Sequence, residues 1–379
     1  MKFASLTLKN KFFNSFKFGV IGFIISILAD LITSHSGLLL ESSIIGLMIG
    51  FLIGLFENFI TIPKFRRLPF YLLVAIRTIV YSGIIISSIF MIVMIKLSFA
   101  NKCALIDVIN NDQLNQFFWE NDLHIIFLVL IGLSFVINVI WQINLLLGKG
   151  VLLKYITGKY HKPTREERIF LFLDLKSSTS IAEKLGDERY SSFLQDFFHD
   201  ITEPILEARG EIFQYCGDEV VIVWNVKKGK MNNNALRFFF LVENIMIELR
   251  NSYLKKYGIY PEFKAGLHYG EILITEVGYL KKEIAYHGDL INTTNRILNT
   301  CNKVGRRLLV SEDLLVIMDW KTDFEEEFIG EFRLKGKKRI LNLYSIKMKG
   351  IELAPLNSTS EENMESFCPK NKDRSVLDK

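Results

Sequence analysis

The chain has 379 residues, half of them hydrophobic, with a formal net charge of +5 and a mean hydropathy of +0.24. That length allows two or three domains, and that hydropathy is high for a protein soluble throughout. No basic block is long enough to argue for a nucleic-acid partner, and Cys103, Cys216, Cys301 and Cys368 lack the spacing of a disulfide framework or a thiolate metal site.

The apolar residues concentrate before about residue 148. Four stretches there, about Phe16–Ser34, Ser42–Ile62, Leu68–Ile95 and Leu123–Leu147, reach the roughly 20 apolar residues that a membrane-crossing helix needs. Residues 1–148 therefore read as an α-helical membrane domain of four transmembrane helices. No small-residue cleavage site follows the first stretch, so it reads as a retained span. Lys2, Lys9, Lys11 and Lys17 precede span one, Lys64, Arg66 and Arg67 separate spans two and three, and Lys149 and Lys154 follow span four. Asp107, Asp112, Glu120 and Asp122 crowd the loop after span three. The distribution of Lys and Arg predicts a multi-pass plasma-membrane protein whose N-terminus and whole C-terminal part are cytoplasmic. Asp30, Glu57 and Arg77 lie inside spans, where charge is costly. Glu57 and Arg77 are expected either to pair across spans two and three or each to reach the interface or a wet crevice.

Residues 149–166 form a polar connector. Val151, Leu152, Tyr155 and Ile156 recur in it near helical spacing before Pro163. From 167 to about 348 strands and helices alternate. Ile169–Asp174 reads as a buried strand, Ser177-Ser178-Thr179 as a helix start, and Ile181–Arg209 as an amphipathic stretch broken near Gly186. Glu211–Trp224 reads as a hairpin, Asn232–Tyr257 as a helix closed by Gly258, and Phe263–His268 and Glu271–Val277 as paired strands around Gly270. Asp289–Cys301 reads as a helix, and Arg307–Val310, Glu327–Leu334 and Leu341–Ile346 as later strands. The order predicts an α+β domain with helices on a mostly antiparallel sheet. Residues 349–379 are polar and aperiodic, and are expected to form a disordered tail.

Four features of this domain carry chemistry. Asp174 ends an apolar strand, where a charge is expensive to bury. Asp218 sits at the hairpin tip beside Gly217. Two such carboxylates side by side imply a cation between them. Asn292 and Arg296 are spaced i and i+4, so both project from one helix face, an amide and a guanidinium able to orient a sugar and neutralise phosphoryl charge. Lys335 ends a strand at Gly336, where its ammonium could meet phosphates, although Lys335-Gly336-Lys337-Lys338-Arg339 also reads as a solvated basic turn. Each feature alone is common in turns and on helix surfaces. Their order and spacing carry the information.

Taken together, residues 167 to about 347 resemble the catalytic domain of the class III adenylate and guanylate cyclases. Phe172-Leu173-Asp174-Leu175-Lys176-Ser177-Ser178-Thr179 resembles the first metal motif and Gly217-Asp218 the second. Gly266-Leu267-His268-Tyr269-Gly270, the helix from Gly288 through Asn292 to Arg296, and Phe332-Arg333-Leu334-Lys335-Gly336 resemble later motifs. The resemblance implies a ferredoxin-like, palm-like catalytic fold and conversion of ATP to cyclic AMP and pyrophosphate. It implies two Mg²⁺ or Mn²⁺ ions held by Asp174 and Asp218, with the Leu175 carbonyl a further ligand. Asn292 would orient the ribose, Arg296 would stabilise developing charge, and Lys335 would hold the β- and γ-phosphates. It also implies a homodimer whose sites lie at the interface, the aspartates coming from one subunit and Asn292, Arg296 and Lys335 from the other. The positions that read the purine in this family are Gln214 and Ala285 here, and they match neither the adenylate nor the guanylate pattern, so GTP is the alternative substrate. Cys216-Gly217-Asp218-Glu219-Val220 also resembles the hairpin of diguanylate cyclases, which lack the Asn-x-x-x-Arg helix. A degenerate sensory or scaffold domain is the remaining alternative.

Overall fold

The computed structural model describes residues 12, 15–27, 39–60, 68–101, 123–148, 150–333 and 340–349. Its two compact units divide between Val151 and Leu152.

In the first unit residues 15–27 are helical, followed by α1 (Leu39–Ile60), α2 (Phe70–Asn101) and α3 (Leu123–Leu147). These helices are apolar nearly all round, the composition of segments that do not face water. By length and composition, Phe70–Ile92 and Phe127–Leu147 suffice to cross a membrane, whereas the apolar helices Ser15–Ile27 and Ser43–Glu57 are shorter. The third expected span runs on to Asn101, beyond the anticipated end at Ile95. The helix of residues 15–27 approaches α1 so closely that a Cβ on Gly22 would lie 2.1 Å from the Gly46 carbonyl oxygen. Such contact needs small residues on both surfaces. The pair forms: Arg77 Nη2 donates to Glu57 Oε2 at 3.1 Å, and the Tyr81 hydroxyl donates to Glu57 Oε1. Asp30 lies outside the described residues.

The second unit begins in α4 (Val151–Ile156), the expected short helix of the connector, and continues into β1 (Thr164–Leu175), which starts inside the anticipated connector. After β1 come α5 (Ser178–Leu185), α6 (Asp187–Asp200), α7 (Thr202–Glu207), β2 (Glu211–Cys216), β3 (Glu219–Asn225), α8 (Val226–Lys230) and α9 (Asn234–Tyr257). The chain ends its described part with β4 (Phe263–Val277), β5 (Glu283–His287), α10 (Asp289–Val304), β6 (Leu308–Ser311), α11 (Glu312–Ile317), β7 (Phe324–Arg333) and β8 (Ile340–Met348). Among the described residues the strands run β2-β3-β1-β4-β6-β8-β7, with β5 paired to β4. All pairings are antiparallel except β4 with β6, in keeping with the expected α+β class.

Strand alternation divides the core. Ile169, Leu171, Leu173 and Leu175 of β1 face one way and pack with Phe193, Phe197, Phe239 and Trp224. Trp224 is fully buried, and its indole N–H donates to the Ala208 carbonyl at 2.8 Å. Phe170 and Phe172 face the other way, towards Ile272, Ile274 and the α10 residues Leu290 and Leu298.

Three expectations need correction. Phe263–Val277 is one 15-residue strand, not two strands around a turn; Gly270 pairs with Arg168 of β1, and its missing side chain leaves room for Leu290. The stretch Ile181–Arg209 is three helices. Gly186, at φ 73°, ends the first, and a new helix starts at Thr202 with Pro204 in its first turn, where proline is tolerated. The short elements β5 and α11 were not anticipated, because five or six residues give too little periodicity to read.

Gly266 sets the distance between β4 and α10. A Cβ there would lie 2.5 Å from the Leu298 backbone nitrogen. Backbone cannot yield as a flexible side chain would, so Gly266→Ala is expected to destabilise the second unit by about 1–3 kcal/mol. Thermal unfolding should show this as a loss of several degrees, and an unchanged midpoint would contradict the packing account.

Candidate active site

The alternation that buries Phe170 and Phe172 places Asp174 on the same face, the one covered by α10. Asp174 ends the buried run of β1, and its side chain keeps 21% exposure. Its cross-strand neighbours are Glu219 on β3 and Lys264 on β4. A carboxylate, a carboxylate and an ammonium thus stand in a row across three adjacent strands. Lys264 Nζ lies 3.1 Å from Asp174 Oδ2 and donates to Asn302 Oδ1 of α10 at 3.1 Å.

Asp218 is delivered to the same place by the β2–β3 turn. Cys216 and Glu219 close that two-residue turn, and Gly217 takes φ 64°, a value that suits glycine at the first central position of a hairpin turn. Burial raises the Asp174 pKa, Lys264 opposes the rise, and the neighbouring Asp218 carboxyl adds to it. Glu219 is pushed up to about 7, by burial first and then by the charges of Asp174 and Asp218. Tyr190 of α6 is raised as well, by burial and by the same two aspartates. Acids held this close could be compensated by a hard divalent cation as well as by Lys264. Among the described residues no group of three or more His, Cys, Asp or Glu is placed to hold a metal ion by itself. Two carboxylates and the Leu175 carbonyl are a donor set that suits an ion shared with substrate phosphates, as Mg²⁺ commonly is.

Between Asp174 and α5 the chain turns through Ser177, which takes left-handed backbone at φ 56°. A non-glycine residue there costs roughly 1–2 kcal/mol. The turn opens α5 directly beside the two acids.

Asn292 and Arg296 lie on α10, Asn292 exposed and Arg296 half-buried. The opposite side of the helix buries Thr293, Thr294, Ile297, Leu298 and Cys301. The helix runs antiparallel to β4: Leu290 lies at Gly270, Leu298 at Gly266 and Asn302 at Lys264. Arg296 and Asn292 are six and ten residues before Asn302, which sets them back from it by about 9 and 15 Å along the helix axis. Within one chain the structure joins Asp174 to Asp218 and leaves Asn292 and Arg296 along a different stretch of the same face. Lys335 lies outside the described residues.

Gln214 is exposed on β2, just past an irregularity that skips Phe213, and its Nε2 donates to Cys216 Sγ at 2.9 Å. Ala285 is half-buried on β5 opposite Thr275. The rings of Phe213 and Tyr286 meet at 4.7 Å, which brings together the strands carrying Gln214 and Ala285. Tyr286 turns into this aromatic cluster, and burial pushes its phenol up to about 12.

Sequence reading missed Lys264 and Glu219. The signal for Lys264 was the one that exposed Asp174: a charge embedded in an apolar strand, here Phe263-Lys264-Ala265-Gly266-Leu267.

Residues 161–348 match the family model for the adenylate and guanylate cyclase catalytic domain. Adenylate cyclase 2 of Rhizobium meliloti (strain 1021) is 37% identical over 206 residues, 54% of this chain and 56% of that protein. Adenylate cyclase 1 of the same strain is 27% identical over 207 residues, 53% of this chain and 30% of that protein. The chain thus spans little more than half, or less, of the curated relatives it matches. A solved bacterial light-regulated adenylyl cyclase superposes with a TM-score of 0.51 at 18% identity, covering 61% of this chain and 67% of that one, a likeness of fold.

The crowded acids give a pH signature. The folded Glu219 carboxyl keeps its proton to about pH 7, whereas an unfolded one loses it near 4.5. Between those values the native state binds more protons, so stability falls as pH rises through that window. With divalent ions chelated, the melting temperature should decline from pH 4.5 to 7, and Glu219→Gln should flatten the decline. An identical slope in both proteins would refute this assignment.

Proposed function

Residues 161–348 belong to the adenylate and guanylate cyclase catalytic-domain family, and from that premise we propose that the chain is a membrane-anchored cyclase making cyclic AMP from ATP. The observation that carries the proposal is the meeting of Asp174 and Asp218 at one end of the sheet, with Asn292 and Arg296 set apart from them on α10. One chain holds two halves that do not close on each other. A homodimer related by two-fold symmetry closes both, each site taking its acids from one subunit and its Asn292, Arg296 and Lys335 from the other.

Asp174 and Asp218, with the Leu175 carbonyl, would hold the two divalent ions, Mg²⁺ or Mn²⁺. Those ions, when bound, supply positive charge at the triphosphate and ease deprotonation of the ribose 3′-hydroxyl. Asn292 orients the ribose so that this oxygen faces the α-phosphorus in line. Arg296 neutralises charge that grows on the transferring and leaving oxygens, and Lys335 holds the β- and γ-phosphates. The 3′-hydroxyl proton passes to solvent, the 3′-oxygen–phosphorus bond forms, the bond to the β-phosphate bridge breaks, and pyrophosphate leaves. Positioning and fixed charge account for the chain's contribution. Gln214 offers a donor and an acceptor to the purine edge, while Ala285 offers no side-chain polar group. ATP is favoured because both relatives named above are adenylate cyclases; GTP is the competing substrate.

The apolar N-terminal segment anchors the enzyme in the plasma membrane with its N-terminus and its catalytic part in the cytoplasm. Phe70–Ile92 and Phe127–Leu147 support the anchoring, and the flanking lysines and arginines support the orientation. We further read residues 1–148 as the membrane domain, 149–166 as the connector, 167–348 as the catalytic domain and 349–379 as a tail.

Incubation of the full chain with ATP or GTP and Mn²⁺, with mass identification of products, tests the reaction. Cyclic AMP is expected; cyclic GMP would move the base assignment, and cyclic di-GMP or no product would overturn the proposal. Asp218→Ala and Arg296→Ala should each lose activity by about 100-fold or more. Mixed under subunit exchange, the two should recover up to about a quarter of wild-type activity, since half the dimers carry one intact site of two. No recovery despite demonstrated exchange would remove the shared interface.

A further inference from the structure

The end of the sheet remote from Asp174 carries a second constellation. An open cleft of about 880 Å³ lies between the start of β1, the end of β3 and α8, with Lys159, Glu166, Glu167, Lys227, Lys230 and Met231 among its walls. Its size falls in the range of small-molecule sites. From Glu166 to Asp174 is eight residues of β1, or about 26 Å of strand, so the cleft is separate from the acids.

The acids of the cleft are already engaged. Glu166 is ion-paired with Lys159 at 3.1 Å and with Arg168, and it accepts from the Tyr160 hydroxyl at 3.0 Å. Glu167 accepts from the Tyr269 hydroxyl at 2.6 Å. Among the described residues the exposed ammonium groups of Lys227 and Lys230 form no ion pair. At the rim, Arg209 Nη1 lies 3.0 Å from Met231 Sδ, so a guanidinium is turned to a thioether, one of the weakest acceptors in a protein. The cleft therefore presents the ammonium groups of Lys227 and Lys230 beside the hydrogen-bonded acids Glu166 and Glu167, with the Arg209 guanidinium against its wall at Met231.

The backbone beneath these cations is fixed. The Asn225 side chain accepts from the Lys227 N–H at 2.9 Å, and Asn234 Nδ2 donates to the Lys228 carbonyl at 2.9 Å. Gly229 is pressed onto the sheet: a Cβ there would lie 2.7 Å from Ile169 Cδ1 and 3.1 Å from Trp224 Cβ. Val226-Lys227-Lys228-Gly229-Lys230 is thus held flat, and Lys227 and Lys230 stand out from a rigid base. Binding there orders the two lysine side chains but not the backbone that carries them.

We propose that this cleft is a second binding site, for an organic phosphate. Two ammonium groups and a guanidinium match the several acceptor oxygens of a phosphate group, and Val226 and Met231 provide an apolar wall for its organic part. Lys159 lies between α4 and β1, so an occupant touches the connector as well as the sheet. The phosphate can come from an anionic lipid headgroup or from a soluble phosphate ester.

The test uses the full chain in phosphatidylcholine nanodiscs, with Mg²⁺ and a saturating non-cyclising ATP analogue to occupy any catalytic sites. Calorimetric titration with glycerol 3-phosphate should show saturable binding, one ligand per chain. The double variant Lys227→Gln/Lys230→Gln should bind about tenfold or more weakly. Lys281→Gln/Lys282→Gln, which removes the same charge elsewhere, should bind as wild type. Repeating the titration in discs containing phosphatidylglycerol separates the sources: suppressed binding assigns the site to a headgroup, and undiminished binding assigns it to a soluble ester. Absence of saturable binding in phosphatidylcholine discs, or equal affinity in wild type and the Lys227/Lys230 variant, or equal weakening in the control pair, overturns the proposal. Because the readout is binding, it stands or falls independently of cyclase activity.

Discussion

A carboxylate at the end of a buried strand is the constraint on which the second unit depends. Asp174 follows a run of side chains that are almost wholly excluded from water, and burial alone works against its charge. The sheet answers with Lys264 on one neighbouring strand and sets Glu219 on the other. The hairpin then adds Asp218, which makes the electrostatic problem worse. An arrangement that concentrates like charge in a partly desolvated corner costs stability unless something positive arrives. The cost is the reason for reading a cation site here, since the same residues spread over a surface would need none.

The central features of this corner were legible in the sequence because they violate ordinary patterning. Asp174 interrupts an apolar run, Gly217-Asp218 sits between two short β-rich runs, and Asn292 and Arg296 share a helical face. What was not legible depended on strand pairing. Glu219 and Lys264 acquire meaning only from the register that sets both opposite Asp174. For Lys264 that register depends on β4 running unbroken through Gly270, and for Glu219 on the pairing of β3 with β1. Ser177 shows the same limit: nothing in its type announces left-handed backbone. The connection between the Gln214 and Ala285 strands passes through the rings of Phe213 and Tyr286, a packing contact with no local signature. In the first unit composition exposed apolar helices, and of the two fates open to Glu57 and Arg77 the structure shows the pair.

The two halves of the proposed site are mechanically joined within a single chain. Lys264 touches Asp174 with one side of its ammonium and Asn302 with another. Asn302 lies in the last turn of the helix that carries Asn292 and Arg296. In a symmetric dimer that helix serves one site while the lysine steadies an acid of the other. An ammonium shared between a carboxylate and an amide has a geometry that neither partner can change alone.

Gly266 has a consequence beyond stability. Because it contributes no Cβ, this face of β4 has a notch where Leu298 rests against bare backbone. On either side along the strand stand polar side chains that are themselves tethered, Lys264 to Asn302 and His268 to Ser311 at 2.7 Å. The helix therefore rests on β4 with Leu298 in that notch and Asn302 tied to Lys264. The compass bearing of every exposed residue on α10, Asn292 and Arg296 included, is fixed by a hydrogen atom where every other amino acid would have placed a carbon.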